Sequence, residues 1–254
     1  MKIVRFAFEN KQSYGVLAAD NQITIIDGDI FGGHYKESDR KVSLEQVSLL
    51  APCQPSKAVC IGLNYHDHAR EMNLKLPEEP LIFLKPSSAL NHPGGKIEFP
   101  PISNNLHFEA ELAVVIKSQA RKIPVEHAGD YVLGYTCAND ITARDIQMHD
   151  GQWTRGKSFD TFLPLGPWIE TQLNPHTVNI KLLLNGELKQ SSNTTNLIFK
   201  VPELIAFVSQ VMTLYPGDVI LTGTPSGVGP MQAGDTVTVE IDGLGALSNT
   251  VIRG

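Results

Sequence analysis

A chain of 254 residues, 42% apolar and 19% charged, has ordinary globular composition and enough apolar side chains for one large domain with a small appendage. The formal charge of −6, without a Lys/Arg cluster, argues against nucleic acid, so an acidic small molecule must be drawn in by local charge from a metal ion, Lys157 or Arg144. Cys53, Cys60 and Cys137 form no CxxC pair and leave an odd thiol, which argues against a disulfide framework or zinc ribbon and for a reducing compartment. The N-terminus shows no secretory h-region and no apolar run has membrane-spanning length, so the expectation is a cytoplasmic protein without a membrane partner.

Residues 2–8, 13–19 and 22–27 are short alternating runs separated by Asn-Lys and Asp-Asn turn signals, and they predict a small β meander. A short amphipathic helix near 42–50 is expected in the connection to the main domain. This divides the chain into a small N-terminal β domain with its connection, 1–54, and a catalytic domain, 55–254. The run 57–62 predicts a buried strand ending at Gly62. The polar stretch 63–72 suits a helical turn, and prolines 77 and 80 end any helix after it. Residues 66–80 therefore read as a mobile lid. Another strand follows at 80–86, then a loop over 87–101.

In the run His107-Phe108-Glu109-Ala110-Glu111-Leu112-Ala113-Val114-Val115-Ile116, a period of two places Phe108, Ala110, Leu112, Val114 and Ile116 on one face. Glu109 and Glu111 share the other face with Ala113 and Val115. A strand apolar on both faces is buried on both, so these carboxylates face an interior cavity rather than water. Two like charges there repel and lose hydration unless a cation compensates. Asp140, where the strand 131–137 runs out at Asn-Asp, adds a third acid. Three carboxylates without Cys or clustered His suit Mg²⁺ or Mn²⁺, Ca²⁺ less well, and match structural zinc poorly. The plainer alternative is a solvated strand face.

Beyond a short helix or loop at 144–156 come a strand entering an Asn-Gly hairpin at 179–187 and the strongest helix pattern, 201–212, with Pro202 near its start. Strands around a Gly-rich loop, 218–229 and 235–241, follow. Strands outnumber helices and do not alternate with them, so the fold class is mainly β with a few helices (α+β), a roll or barrel rather than a doubly wound sheet.

His68 and Glu71, three apart on a helical turn, reach one another, and a carboxylate beside an imidazole raises its basicity. On an exposed helix the same spacing would be merely solvated. Lys157, between Gly156 and an aromatic segment, either stabilises an enolate oxygen or is a surface lysine. Arg144 and Gln147 either hold a substrate carboxylate or pair with Asp145 or Asp150. The loop 222–229 lacks a P-loop ending and a dinucleotide fingerprint; its amides and Thr224 either cradle a carboxylate or form a plain turn.

Taken together, Gly62-Leu63-Asn64-Tyr65 through His68 and Glu71, Phe108-Glu109-Ala110-Glu111-Leu112, Asn139-Asp140-Ile141-Thr142-Ala143-Arg144-Asp145 with Gln147, Gly156-Lys157-Ser158-Phe159-Asp160 and 222–229 closely resemble the fumarylacetoacetate hydrolase family over roughly 55–254. The N-terminal domain is similar to that of the family's shorter bacterial members. The resemblance implies a mixed β-roll, Mg²⁺ or Mn²⁺ on Glu109, Glu111 and Asp140, His68 with Glu71 handling water or a proton, Lys157 steadying an oxyanion, and a homodimer. It leaves the reaction open between acylpyruvate hydrolysis, oxaloacetate decarboxylation and isomerisation or decarboxylation of a hydroxy-heptadienedioate. One departure is the lack of an additional acid near Gly62, where the larger hydrolase that names the family has a fourth metal ligand, which disfavours fumarylacetoacetate itself. The expectation is a Mg²⁺- or Mn²⁺-dependent C–C bond hydrolase for a 2,4-dioxo acid, passing through a pyruvate-type enolate; a β-rich binding protein with a structural metal is the non-enzymatic alternative.

Overall fold

The alternating run around the paired acids forms two strands, not one. Leu106–Phe108 and Ala110–Ile116 join different sheets and leave Glu109 at the break between them. Ala110–Ile116 is buried along its whole length, with Ala110, Leu112, Val114 and Ile116 in one core and Ala113 and Val115 in another. Burial on both faces is what its unbroken apolar sequence requires.

The computed structural model describes residues 1–254 as three sheets with four α-helices. Along the largest sheet the order is His34–Ser43, Gln22–Asp29, Lys11–Leu17, Lys2–Phe8, Leu163–Glu170, Val132–Asn139, Ala110–Ile116, Val219–Leu221, Lys57–Gly62 and Leu81–Pro86. The N-terminal meander thus extends this sheet through the pairs Lys2↔Glu170 and Ile3↔Ile169. Pairing is mostly antiparallel; Val219–Leu221 runs parallel to Lys57–Gly62, which makes the sheet mixed.

The helix expected near 42–50 does not form. His34–Ser43 is a strand, Leu44–Gln46 a 3₁₀ turn capped by Ser43, and Ser48–Leu50 pairs with Lys2–Phe8. Val42 enters a small core with Val4, Phe6, Leu17 and Ile23, so strand partners outside the segment override its helical periodicity. The expected loop 87–101 likewise holds two short strands, Leu90–Asn91 and Lys96–Phe99, the second parallel to Gly245–Arg253.

A five-stranded sheet, in the order Glu187–Asn193, Asn179–Leu184, Thr236–Ile241, Gly245–Arg253 and Lys96–Phe99, shares the main core of 36 buried side chains with Ala110–Ile116. The helix Val201–Val211 adds Leu204, Ile205 and Val208 to that core. At the Asn-Gly hairpin, Asn185 and Gly186 have φ of 54° and 80°, the left-handed pair that a two-residue turn between twisted strands demands. No helix is long and apolar enough to cross a membrane.

The helices Arg144–Asp150 and Thr154–Lys157 meet at Gly156, where a Cβ would lie 2.8 Å from Gln147 N and 3.0 Å from Ala143 O. Both atoms are backbone and cannot turn away. Gly156→Ala should therefore lower stability by about 1–3 kcal/mol, read by denaturant unfolding, and shift the turn that carries Lys157; an unchanged unfolding midpoint would show that the two helices separate freely.

Candidate metal centre

Glu109 sits at the break between its two strands, Glu111 two residues later, and Asp140 directly after Val132–Asn139. Asp140 N donates to Glu109 O at 2.9 Å and Glu109 N donates to Asn139 Oδ1 at 2.9 Å, so the backbones that carry Glu109 and Asp140 are locked together. One carboxylate oxygen from each acid lies within 4.8 Å of the others, and all three residues are buried.

Their charges are not equally compensated. Lys157 Nζ donates at 2.7 Å to both Glu109 Oε2 and Asp140 Oδ2, while Arg144 bonds Glu109 Oε1. Burial acts to raise the Glu109 pKa, but Lys157 and Arg144 outweigh it and hold that carboxyl well below the usual range. For Lys157 burial opposes the charge, and Asp140 and Glu109 overcome it, so its pKa is raised and the ammonium persists. Glu111 has no ion pair. Its Oε2 accepts only the amide of Gly223 at 2.6 Å, and burial, then Asp140 and Glu109, push its pKa far up.

This imbalance, together with the donor set, fits a divalent cation. Glu111 has no cation beside it, and its burial next to two other carboxylates disfavours its ionised form unless a cation joins the site. Asp140 Oδ1, although 2.8 Å from Lys85 Nζ, lies outside hydrogen-bonding geometry and is a buried oxygen without a donor. Three carboxylate oxygens without nitrogen or sulfur match Mg²⁺ or Mn²⁺.

The triad forms part of the wall of a cavity of about 620 Å³, to which His68, Glu71, Arg144, Gln147, Lys157 and Thr224 also contribute. His68 and Glu71 lie on the helix His66–Glu71 with Nδ1 3.2 Å from Glu71 Oε2, and Gly227 N donates to both Glu71 oxygens at 3.0 and 3.2 Å. Arg144 donates to Gln147 at 2.6 Å and pairs with neither nearby aspartate: Asp145 accepts from Ser103 and Asn104, and Asp150 from Arg155. Thr224 Oγ1 accepts from Gln190 Nε2 at 2.9 Å, so its own hydrogen points elsewhere.

Sequence reasoning passed over four supporting residues. Lys85, fully buried, donates to the carbonyls of Ile141 and Lys157, joining the Asp140 turn to the Lys157 turn. Its one signal is a lysine inside the apolar run Leu81–Pro86. Gln190 accepts from Ala110 N at 2.9 Å and donates to Thr224 and Pro225, stapling the Gly-rich loop to the ligand strand; no local pattern marks it. Asn139 orients Glu109. His107 lines the cavity with Nδ1 buried and unpartnered, and burial, followed by Arg144, pushes its pKa down to about 4.

Residues 57–252 match the family model described as Fumarylacetoacetate (FAA) hydrolase C-terminal, and 1–52 match the model Rv2993c-like, N-terminal. The mitochondrial oxaloacetate tautomerase Fahd2a of Rattus norvegicus is 47% identical over 219 residues, 82% of this chain and 70% of that protein. Among solved structures, the 5-carboxymethyl-2-hydroxymuconate delta-isomerase of Mycobacterium smegmatis is 41% identical with a TM-score of 0.94, covering both chains fully. The maleylpyruvate hydrolase of Sphingobium sp. SYK-6, in complex with manganese(II) and pyruvate, is 32% identical with a TM-score of 0.83, again over both full chains. These matches agree with the mainly β architecture and the buried acidic triad: the chain belongs to the fumarylacetoacetate hydrolase family.

Proposed function

We propose that this chain takes a 2-oxo acid at a divalent ion on Glu109, Glu111 and Asp140 and catalyses proton transfer at the carbon beside the keto group, a tautomerase or isomerase reaction. The observation that carries this reading is the His68–Glu71 pair facing the same cavity as the carboxylates and Lys157. Similarity to an oxaloacetate tautomerase and a delta-isomerase supports it.

When bound, Mg²⁺ or Mn²⁺ supplies Lewis acidity to the carboxylate and keto oxygens of the substrate. Glu71 on Nδ1 holds the imidazole in the tautomer whose Nε2 is basic, and Nε2 takes the proton from C3. As that proton leaves, negative charge moves onto the keto oxygen. The Lys157 ammonium, fixed by two carboxylates in a buried place, stabilises it without having to reorganise. Arg144, Gln147 and the free hydroxyl hydrogen of Thr224 orient the substrate carboxylate. Delivery of the proton to the keto oxygen completes a tautomerisation, and delivery to another carbon of a conjugated enolate completes an isomerisation.

A second reading, C–C hydrolysis of a 2,4-dioxo acid, is favoured by the similarity to the maleylpyruvate hydrolase solved with manganese and pyruvate. There the same imidazole delivers water to the distal carbonyl. Acetylpyruvate with Mg²⁺ in D₂O, compared with the same solution without protein, separates the two: deuterium entering C3 of an intact chain faster than in the protein-free control supports proton transfer, acetate plus pyruvate supports hydrolysis, and neither overturns both.

His68→Ala should reduce C3 exchange by about 10²–10⁴ with Mg²⁺ affinity unchanged in calorimetry; a parallel loss of Mg²⁺ binding would remove His68 from the proton-transfer role. Glu111→Gln removes the one acid of the triad that lacks a cation partner. It should raise the melting temperature of the metal-free protein while abolishing the stabilisation that Mg²⁺ gives the native chain. A variant still stabilised by Mg²⁺ to the native extent would refute Glu111 as a ligand.

A further inference from the structure

Away from the triad and its cations the cavity lining carries the anion Glu71 but no lysine or arginine. Its permanent cations, Arg144 and Lys157, are both engaged with the metal-site carboxylates Glu109 and Asp140. Arg70, on the same helix as His68, does not contribute to the lining. An apolar part of the wall starts at Lys157 itself, whose Nζ lies 5.0 Å from the centre of the Phe83 ring. Phe83 packs edge-on against Trp153, with centroids 5.2 Å apart and planes at 73°. Trp153 is held close over Gly62, where a Cβ would come within 2.7 Å of its ring. Leu63, Met72, Leu74 and Val228 complete this side, and Met72 and Leu74 are each 53% exposed. Large apolar side chains left half exposed around a cavity mark a surface that a ligand covers.

We propose that this wall of Leu63, Met72, Leu74, Phe83, Trp153 and Val228 is the specificity surface for an uncharged, apolar tail on the substrate, so that the chain prefers 2-oxo acids with alkyl or aryl extensions over long 2-oxo dioates. This rests on the 2-oxo acid reading of the site. A second carboxylate close to the keto group still falls within reach of Arg144 and Lys157. One carried several carbons further along would lie along this wall, where the lining offers no lysine or arginine and Glu71 is an anion, so it gains no ion pair there. An alkyl tail in that position gains with each methylene buried, by roughly three- to fivefold.

The test compares pyruvate, 2-oxobutyrate, 2-oxohexanoate and 2-oxoadipate with Mg²⁺, reading C3 deuterium exchange by NMR and affinity by calorimetry. The expected order is a rise along the alkyl series, with 2-oxohexanoate exceeding the dioate of equal chain length by at least about tenfold. Leu74→Arg, which puts a cation at an exposed place on the apolar side, should narrow or invert that ratio. A native protein that handles 2-oxoadipate as well as 2-oxohexanoate, or a ratio unmoved by Leu74→Arg, overturns the assignment. If binding follows the expected order but no acid in the series exchanges its C3 hydrogen, the tail surface stands and the proton-transfer reading fails.

Discussion

The site depends on one ammonium group placed between two carboxylates in a region closed to water. Lys157 is 2% exposed, yet its ammonium bridges Glu109 and Asp140 and holds the Glu109 carboxyl well below the usual range. Without it the two buried carboxylates would face each other with less compensation. Arg144 on Glu109 and Lys85 beside Asp140 extend the same compensation, so the three acids meet three cations and only Glu111 has none close by. A divalent ion added to such a set would leave the site net positive, a field that would attract an anion into an otherwise acidic protein. Lys157 thus bridges the Glu109 and Asp140 carboxylates and at the same time lines the cavity.

The elements that carry these groups were legible in the sequence where a local pattern and a local cause coincide. The apolar run from Ala110 to Ile116 reads as a strand buried on both faces because both of its faces do enter cores. The spacing of His68 and Glu71 reads as a pair because one helical turn joins them. The break at Glu109 left no local trace, since Phe108 is as apolar as Ala110 and only the partners of the two strands, Gly229–Met231 on one side and Val219–Leu221 on the other, divide them. The helix expected near 42–50, where strands form instead, has the same origin. Its partners, Gln22–Asp29 and Lys2–Phe8, are supplied from elsewhere in the meander. Gln190, 80 residues from the strand it staples, is invisible to any window.

The Gly-rich loop shows why these long-range contacts matter for chemistry. It offers no phosphate-binding pattern, yet its amides each hold a carboxylate: Gly223 N takes Glu111 on the metal side and Gly227 N takes Glu71 on the imidazole side. Thr224, between them, faces the cavity, and Gln190 fixes the turn from behind. Both glycines have φ near +90°, and at Gly227 a Cβ would meet Lys189 O at 2.3 Å, so the course of the loop demands glycine there. A loop with these constraints fixes the spacing between Glu111 and the His68–Glu71 pair. The two halves of the site come from segments about 40 residues apart, His68–Glu71 and Glu109–Glu111, and neither is placed by its own local sequence. They come into register because one short backbone segment, from a third part of the chain, donates a hydrogen bond to each.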